Sequence, residues 1–136
     1  MIESNLRAVK DVYAAYDRGD LGAVLAGFTA DIVWANPYPA HVPLAGEFRG
    51  HEGIRRFVSA IKASSESLAF EPREFIAQGE QVVVLGLEKV RVKPTGRTYE
   101  NAWVHVWTLR EGKAASIRVF GDTAAVSEAF REGEER

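Results

Sequence analysis

The feature that most constrains the fold is a change of hydrophobic period near Ser67. Before this point apolar residues recur at helical spacing, and after it apolar and polar residues alternate almost to Thr123. Four β-rich segments, residues 68–77, 81–92, 97–109 and 114–120, are separated by short connections that each contain a glycine. Such connections are typical of antiparallel hairpins. The chain is therefore predicted to be α+β, with helices first and a curled antiparallel sheet that they cover.

The first half supplies the predicted helices. Residues 3–18 form the first helix, with Gly19 at its left-handed C-cap, and Asp20 caps a short second helix. A short strand over residues 31–36 is followed by an irregular, proline-rich loop to about residue 50, where a third helix begins. At the other end, residues 123–131 are expected to form a final helical turn, and residues 132–136 are too polar for an ordered element.

Composition limits the classes of function. The chain has 136 residues, 46% of them apolar, which predicts one domain over residues 1–136 with its core in about 1–122 and a turn and tail in 123–136. A net charge of −2 without a basic stripe argues against nucleic acid, and the lack of cysteine excludes disulfides and thiolate chemistry. Three prolines interrupt the longest uncharged run, so no membrane span is expected. Without a visible export signal, a cytoplasmic location is expected.

Four fragments of the sequence together resemble the nuclear-transport-factor-2-like superfamily. They are Gly19-Asp20-Leu21, Phe28-Thr29-Ala30-Asp31, Gly50-His51-Glu52-Gly53-Ile54, and Gly112-Lys113 followed by Asp122. The nearest branch is similar to SnoaL-like polyketide cyclases and ketosteroid isomerases. The resemblance implies a cone-shaped barrel, in which helices close one face of a strongly curved, mostly antiparallel sheet around an apolar pocket. It also implies a homodimer through the outer face of the sheet.

The residues that the resemblance implies for catalysis are mostly changed here. The isomerases keep a general-base aspartate where this chain has Asn36, and an oxyanion-binding tyrosine where it has Val12. An amide cannot accept a proton at neutral pH. Their second oxyanion group and the functional histidine of the cyclases both correspond to His105, whereas the acid/base aspartate of the cyclases corresponds to Val119. The resemblance therefore points to His105.

Strand alternation predicts what surrounds His105. It groups Asn101, Trp103, His105 and Trp107 on one face, which the resemblance places toward the pocket. A two-residue turn at Thr95-Gly96 would set Glu88 opposite Trp103 and Gly86 opposite His105, leaving room beside the histidine. Glu88 would then lie diagonal to His105, raise its pKa and fix its tautomer as an acid/base pair. Alternatively, Glu88 pairs with a basic neighbour or faces outward.

Other polar and aromatic residues complete the candidate site. Trp34 and Asn36 share a side of the first strand, where Asn36 either binds a substrate oxygen or caps its own turn. Tyr38 lies on the expected rim, His41 in the same loop is expected to be solvated, and Asp122 is either catalytic or a cap. The full substrate-contacting set is Trp34, Asn36, Tyr38, Trp103, Trp107, Asn101 and Tyr16.

Two functions remain open from the sequence. The first is an acid/base enzyme, an isomerase, cyclase or hydrolase, acting on a small apolar molecule that carries a carbonyl or hydroxyl group. His105, Glu88 and Asp122 are then its candidate catalytic residues. The second is a non-catalytic module that binds a small ligand or only dimerises. The histidines lack ligand spacing and no phosphate-binding or nucleophile motif is present, so neither a metal nor a cofactor is expected.

Overall fold

The computed structural model describes residues 2–131, which fold into helices and one sheet. The helices are α1 (Ile2–Asp17), α2 (Leu21–Ala26), α3 (Gly50–Ser64) and α4 (Thr123–Phe130). The strands are β1 (Phe28–Asn36), β2 (Gly46–Arg49), β3 (Ser65–Gln78), β4 (Gln81–Val92), β5 (Thr98–Arg110) and β6 (Lys113–Phe120). The predicted helices and long strands are confirmed. The short strand β2, however, lies in the stretch predicted as a loop, and residues 132–136 lie outside the described residues.

Local sequence accounts for the boundaries of the first two helices. Gly19 follows α1 with φ of 76°, a left-handed conformation that a glycine adopts without steric cost. The side chain of Asp20 then accepts a hydrogen bond of 3.1 Å from the backbone nitrogen of Ala23, which caps α2. These two residues set the turn that lets α1 and α2 pack together.

The six strands form one sheet in the order β2-β1-β6-β5-β4-β3. Strands β1 and β6 pair in parallel, and the other neighbours are antiparallel. Irregular pairing at two points of β3 and one point of β6 bends the sheet, because a bulge increases local twist and curvature. The predicted α+β fold with a curved, mostly antiparallel sheet is confirmed. The sheet remains open at its two edge strands, β2 and β3.

The helices cover the inner face of this sheet. Val9 and Val12 of α1 and Ile54 of α3 are buried in one apolar cluster with the rings of Trp103 and Trp107. Helix α4 adds buried residues to a second cluster around Tyr99 of β5. No helix in the described part of the chain is long and apolar enough to cross a membrane. The tryptophan-bearing stretch of β5 thus lies at the centre of the molecule.

Candidate functional site

A cavity of about 160 Å³ lies between α1, α3 and the inner face of the sheet. All three tryptophans and all four tyrosines of the chain line it, together with phenylalanine and aliphatic side chains. The exposed lining residues are Tyr16 on α1 and Ser67 on β3, so the cavity opens between these two elements. Among the described residues, Glu88 is the one charged side chain in its wall. The cavity is therefore an aromatic chamber with a single carboxyl group.

His105 lies in the wall of this chamber, on the inner face of β5. Its ring stacks on Trp103 with centroids 4.0 Å apart, and Trp34 meets it edge-on at 5.2 Å. Only 5% of the residue is exposed. On β6, His105 pairs with Val119, the residue that corresponds to the acid/base aspartate of the cyclases. No carboxylate therefore approaches the histidine from that strand. The imidazole is thus enclosed by aromatic and aliphatic groups.

A hydrogen-bond chain fixes the orientation of His105. The indole Nε1 of Trp107 donates to the Tyr13 hydroxyl at 3.0 Å, and that hydroxyl lies 2.8 Å from Nδ1 of His105. We assign the phenol proton to Nδ1, because the phenol oxygen already accepts from the indole and Nδ1 is the acceptor within hydrogen-bonding distance of the hydroxyl. In a neutral imidazole the remaining proton then belongs to Nε2. Nε2 makes no hydrogen bond to any described residue, and His105 lines the cavity, so we assign to Nε2 the N–H that a ligand in the cavity would meet.

Burial determines the protonation state of His105. Desolvation lowers its pKa to about 3, because the charged imidazolium would lose its hydration in this apolar wall. The ring is therefore neutral at physiological pH. The expectation that a carboxylate raises the pKa of His105 is wrong, because its hydrogen-bond partner is the phenol of Tyr13. Burial also raises the pKa of Tyr13, so the phenol keeps its proton.

The pairing of β4 with β5 differs from the predicted register by two residues. Glu88 pairs with Asn101, Gly86 with Trp103, and Val84 with His105. Four residues of β5, about 13 Å, thus separate the pairing partner of Glu88 from His105, so the predicted contact between the two is wrong. The space at Gly86 is also filled, since a Cβ there would overlap the Trp103 ring. Glu88 and His105 instead face different parts of the same cavity.

The carboxyl group of Glu88 is surrounded by phenols. Burial raises the pKa of Glu88, and a hydrogen bond from the side chain of Asn101 partly opposes that shift. The pKa values of Tyr16, Tyr38 and Tyr99 are raised, first by their own burial and then by the negative charge of Glu88. These three rings therefore lie near the carboxylate. A buried carboxylate with a raised pKa is a stronger base than an ordinary glutamate.

The polar atoms of Asn36 are used inside the protein. Its Oδ1 accepts from the indole Nε1 of Trp34 at 2.9 Å, and its Nδ2 donates to the carbonyl of Leu44 at 2.8 Å. Asn36 lines the cavity but does not cap its own turn, and its amide oxygen and nitrogen each already have a protein partner. It orients Trp34 in the cavity wall and ties β1 to the proline-rich loop.

Two predicted site residues lie outside the cavity wall. The carboxylate of Asp122 accepts from the backbone nitrogen of Ala125 at 3.0 Å and so caps α4, as the alternative for this residue predicted, and Asp122 does not line the chamber. Asn101 is 2% exposed and does not line the chamber; its side chain contacts Glu88, the Asp122 backbone and the phenol of Tyr38. The other predicted contact residues line the chamber: Trp34, Asn36, Tyr38, Trp103, Trp107 and Tyr16.

Tyr13 is the functional side chain that the sequence reasoning missed. The spacing from Gly19-Asp20 indicated Val12 for the hydroxyl position, whereas the tyrosine one residue later points to His105. Val12 and Tyr13 both line the cavity. The available signal was the helical recurrence of Tyr13 with Val9 and Tyr16, which places the phenol on the face that covers the sheet.

The remaining histidines make backbone contacts. Nε2 of His41 lies 3.0 Å from the carbonyl of Ser127, and Nε2 of His51 lies 3.2 Å from the carbonyl of Phe28. His41 is exposed, as expected for a solvated residue, but its contact with α4 was not predicted. Within residues 2–131, no three histidine or acidic side chains stand close enough to hold a metal ion.

Comparison with known proteins identifies related chains. The family model of the SnoaL-like domain matches residues 9–117. An NTF2-like protein from Burkholderia xenovorans LB400 is 40% identical with a TM-score of 0.89, over 96% of this chain and 98% of that one. An NTF2-like protein from Burkholderia pseudomallei K96243 is 30% identical with a TM-score of 0.81, over 93% and 97%. TerC, co-crystallised with polyporic acid, is 32% identical with a TM-score of 0.79, over 93% and 98%.

Solved structures of lower sequence identity resemble this chain in fold alone. Structures under 20% identical include an isomerase homologue from Bacillus subtilis, a SnoaL-like polyketide cyclase homologue from Mesorhizobium loti, and an LEH-like epoxide hydrolase of M. tuberculosis. A search of the curated proteins found no significant match. One fold thus carries several chemistries, and the choice among them depends on the residues of the cavity.

Proposed function

Because this chain belongs to the SnoaL-like domain family, we propose that it binds a small, largely apolar molecule with a carbonyl or hydroxyl oxygen and transfers a proton on it. Nε2 of His105 donates a hydrogen bond to that oxygen. Glu88 is the proton-transfer group in another part of the cavity. Trp34, Trp103 and Trp107 provide apolar contact, with Tyr16 and Tyr38 near the carboxylate.

The observation that carries this proposal is the placement of two polar groups in one aromatic chamber. The wall combines a neutral N–H donor, fixed by Tyr13, with one carboxylate, fixed by Asn101. When a base removes a proton from a carbon next to a carbonyl, the bonding electrons move to the oxygen as an enolate. Glu88 takes up the proton, and the N–H of His105 stabilises the developing oxyanion. Return of the proton from Glu88 to carbon completes the cycle without a further reactant.

The dimensions of the cavity limit the ligand. A volume of about 160 Å³ is close to that of a dry protein cavity that accommodates one benzene ring. The aromatic walls favour a flat molecule, since rings stack or meet edge-to-face with a gain beyond buried area. TerC, which was crystallised with polyporic acid, is a relative that supports a small-molecule ligand in this fold. We therefore favour a one-ring ketone or phenol, or a larger molecule that inserts one ring.

A second candidate function is binding without chemistry. It is favoured by Asn36, which occupies the position of the isomerase base and uses both polar groups of its amide inside the protein. In that case His105 and Glu88 only orient the bound molecule. The two functions differ in whether a carbon-bound proton of the ligand exchanges.

Proton exchange into a simple ketone separates these functions. Cyclohexenone is first titrated into the protein by calorimetry, and the loss of its proton signals next to the carbonyl is then followed by NMR in deuterium oxide. We expect saturable binding and exchange that the protein accelerates, with Glu88→Gln binding the ketone but losing most of the acceleration. The exposed Glu74→Gln is the matched control. Binding without acceleration would favour the non-catalytic module, and no binding would contradict both candidates.

We also propose that two copies of the chain associate through the outer face of the sheet. Val83 pairs with Val106 and Leu85 with Val104 on that face, away from the helices. Leu87 on the same strand is 39% exposed. An uncovered apolar patch of this kind is typical of an interface between subunits. The partner is a second copy of the same surface.

A further inference from the structure

We propose that Asn101 is a positioning residue that directs the carboxylate of Glu88 into the cavity and opposes its protonation. The proposal rests on the proposed function only in assigning the base to Glu88. Asn101 does not line the chamber and does not touch a ligand there. Its effect on proton transfer is exerted through Glu88.

The hydrogen bonds of Asn101 fix the orientation of its amide. Its Oδ1 accepts from the backbone nitrogen of Asp122 at 2.7 Å, and its Nδ2 donates to Oε2 of Glu88 at 2.8 Å. A backbone N–H needs an acceptor and a carboxylate needs a donor, so a flipped amide would lose both bonds. The side chain is 2% exposed, which excludes water as a ready substitute. Asn101 is thus a buried clamp between Glu88 and the end of β6.

The end of β6 is shaped to receive this amide. A Cβ on Gly121 would lie 2.7 Å from Oδ1 of Asn101, closer than a carbon and an oxygen approach. Glycine at position 121 therefore leaves the space in which the amide reaches the Asp122 nitrogen. Gly121 therefore contributes the space for the amide, and Asp122 contributes its backbone N–H. The carboxylate of Asp122 is used separately, to cap α4.

The clamp opposes the effect of burial on Glu88. Burial favours the protonated carboxylic acid, whereas a hydrogen bond donated to the carboxylate favours the anion. A protonated Glu88 cannot accept a proton from a substrate. Loss of Asn101 would therefore leave a buried carboxyl group that takes up a proton at higher pH and is free to rotate away from the cavity.

The titration of Glu88 in the ligand-free protein tests this role. The side-chain carboxyl carbons of glutamate are labelled with ¹³C and followed by NMR against pH, with Glu88→Gln assigning the signal. We expect Asn101→Leu to move the Glu88 midpoint to higher pH, and Gly121→Ala to move it in the same direction by displacing the amide. Asp122→Ala removes the α4 cap but keeps the backbone N–H, so it should leave the midpoint unchanged although it lowers stability.

The wild-type protein provides an independent readout if Asn101→Leu does not fold. The Nδ2 protons of Asn101 should change chemical shift with the same midpoint as the Glu88 carbon, because one donates to the other. The proposal would be overturned if the Asn101 amide signals did not change as Glu88 titrates. It would also be overturned if a folded Asn101→Leu variant kept the wild-type midpoint of Glu88. If the midpoint shifts as expected while no ketone exchange is found, the positioning role stands and the proposed function fails.

Discussion

The hydroxyl of Tyr13 lies 2.8 Å from Nδ1 of His105, although the two residues are 92 positions apart in the chain. The same hydroxyl accepts from the indole of Trp107, so the direction of the hydrogen bonds is defined from the tryptophan to the histidine. This direction makes Nε2 of His105 the proton-bearing nitrogen that opens on the cavity. A helix and a strand thus determine together which atom a ligand meets.

Replacement of Tyr13 by phenylalanine should disturb both stability and the imidazole. Tyr13→Phe leaves the buried Trp107 N–H without its acceptor and Nδ1 without its donor, which should lower the free energy of unfolding by about 1–3 kcal/mol. Chemical denaturation measures this loss, and ¹⁵N NMR should show His105 as a mixture of tautomers. Tyr16→Phe is the control, because no described residue bonds the Tyr16 hydroxyl. Equal losses of unfolding free energy in both variants would contradict the hydrogen bonds from Trp107 to Tyr13 and from Tyr13 to His105.

The low pKa of His105 predicts a pH-dependent stability. The folded-state value is about 3, below the ordinary value near 6.5, so the unfolded chain takes up the proton first as the pH falls. The stability contribution is complete above pH 6.5 and is lost between about pH 6.5 and 3, by roughly 1.4 kcal/mol per pH unit. Urea unfolding of His105→Gln should show a correspondingly shallower decline than wild type. A decline as steep as that of wild type would mean that His105 is protonated in the folded protein.

Glu88 should have the opposite effect on stability. Burial raises its pKa, so the folded protein binds a proton that the unfolded chain has already released, and stability falls as the pH rises through this window. Glu88→Gln removes the buried charge, so its melting temperature should exceed that of wild type at alkaline pH and converge with it at acidic pH. Calorimetric melting across pH 4–9 checks this sign. A variant that is less stable at alkaline pH would indicate that the carboxylate is stabilised overall.

The proposed dimer predicts the effect of a charge on the outer face. Val106→Asp would place an unpaired carboxylate in an apolar interface, and a cost of 1.4 kcal/mol or more weakens association by at least about tenfold. Sedimentation equilibrium of wild type and variant measures the dissociation constant. Ser59→Asp, on the exposed side of α3, is the control and should associate like wild type. A monomeric wild type at micromolar concentration would contradict the interface.

Sequence periodicity predicted the faces of the sheet better than its register. The connection between β4 and β5 is longer than the assumed two-residue turn, since Arg91 already pairs with Thr98. The longer connection shifts every β4–β5 pair by two residues relative to the predicted register. A shift of two keeps each side chain on its own face, so Trp103, His105 and Trp107 still line the cavity, whereas the neighbours of Glu88 changed. Alternation is local, but register depends on the turn.

The partners of the polar groups could not be predicted from local patterns. Tyr13 reaches His105 only because α1 packs across β5, and Asn101 reaches the Asp122 nitrogen only because β6 ends beside it at Gly121. Neither contact has a fixed spacing in the sequence. Capping at Asp20 and Asp122, which involves residues three positions apart, was within reach of sequence reasoning.

In the proposed function, His105 donates a hydrogen bond to a ligand oxygen inside the aromatic chamber. The most direct test of this hydrogen bond is the ¹⁵N–¹H NMR spectrum of the histidine rings during titration with cyclohexenone, with His105→Gln assigning the signal. We expect the Nε2 proton of His105 to shift downfield and to saturate at the affinity found by calorimetry, while Nδ1 remains an unprotonated acceptor. Saturable binding that leaves the Nε2 signal unchanged would contradict it.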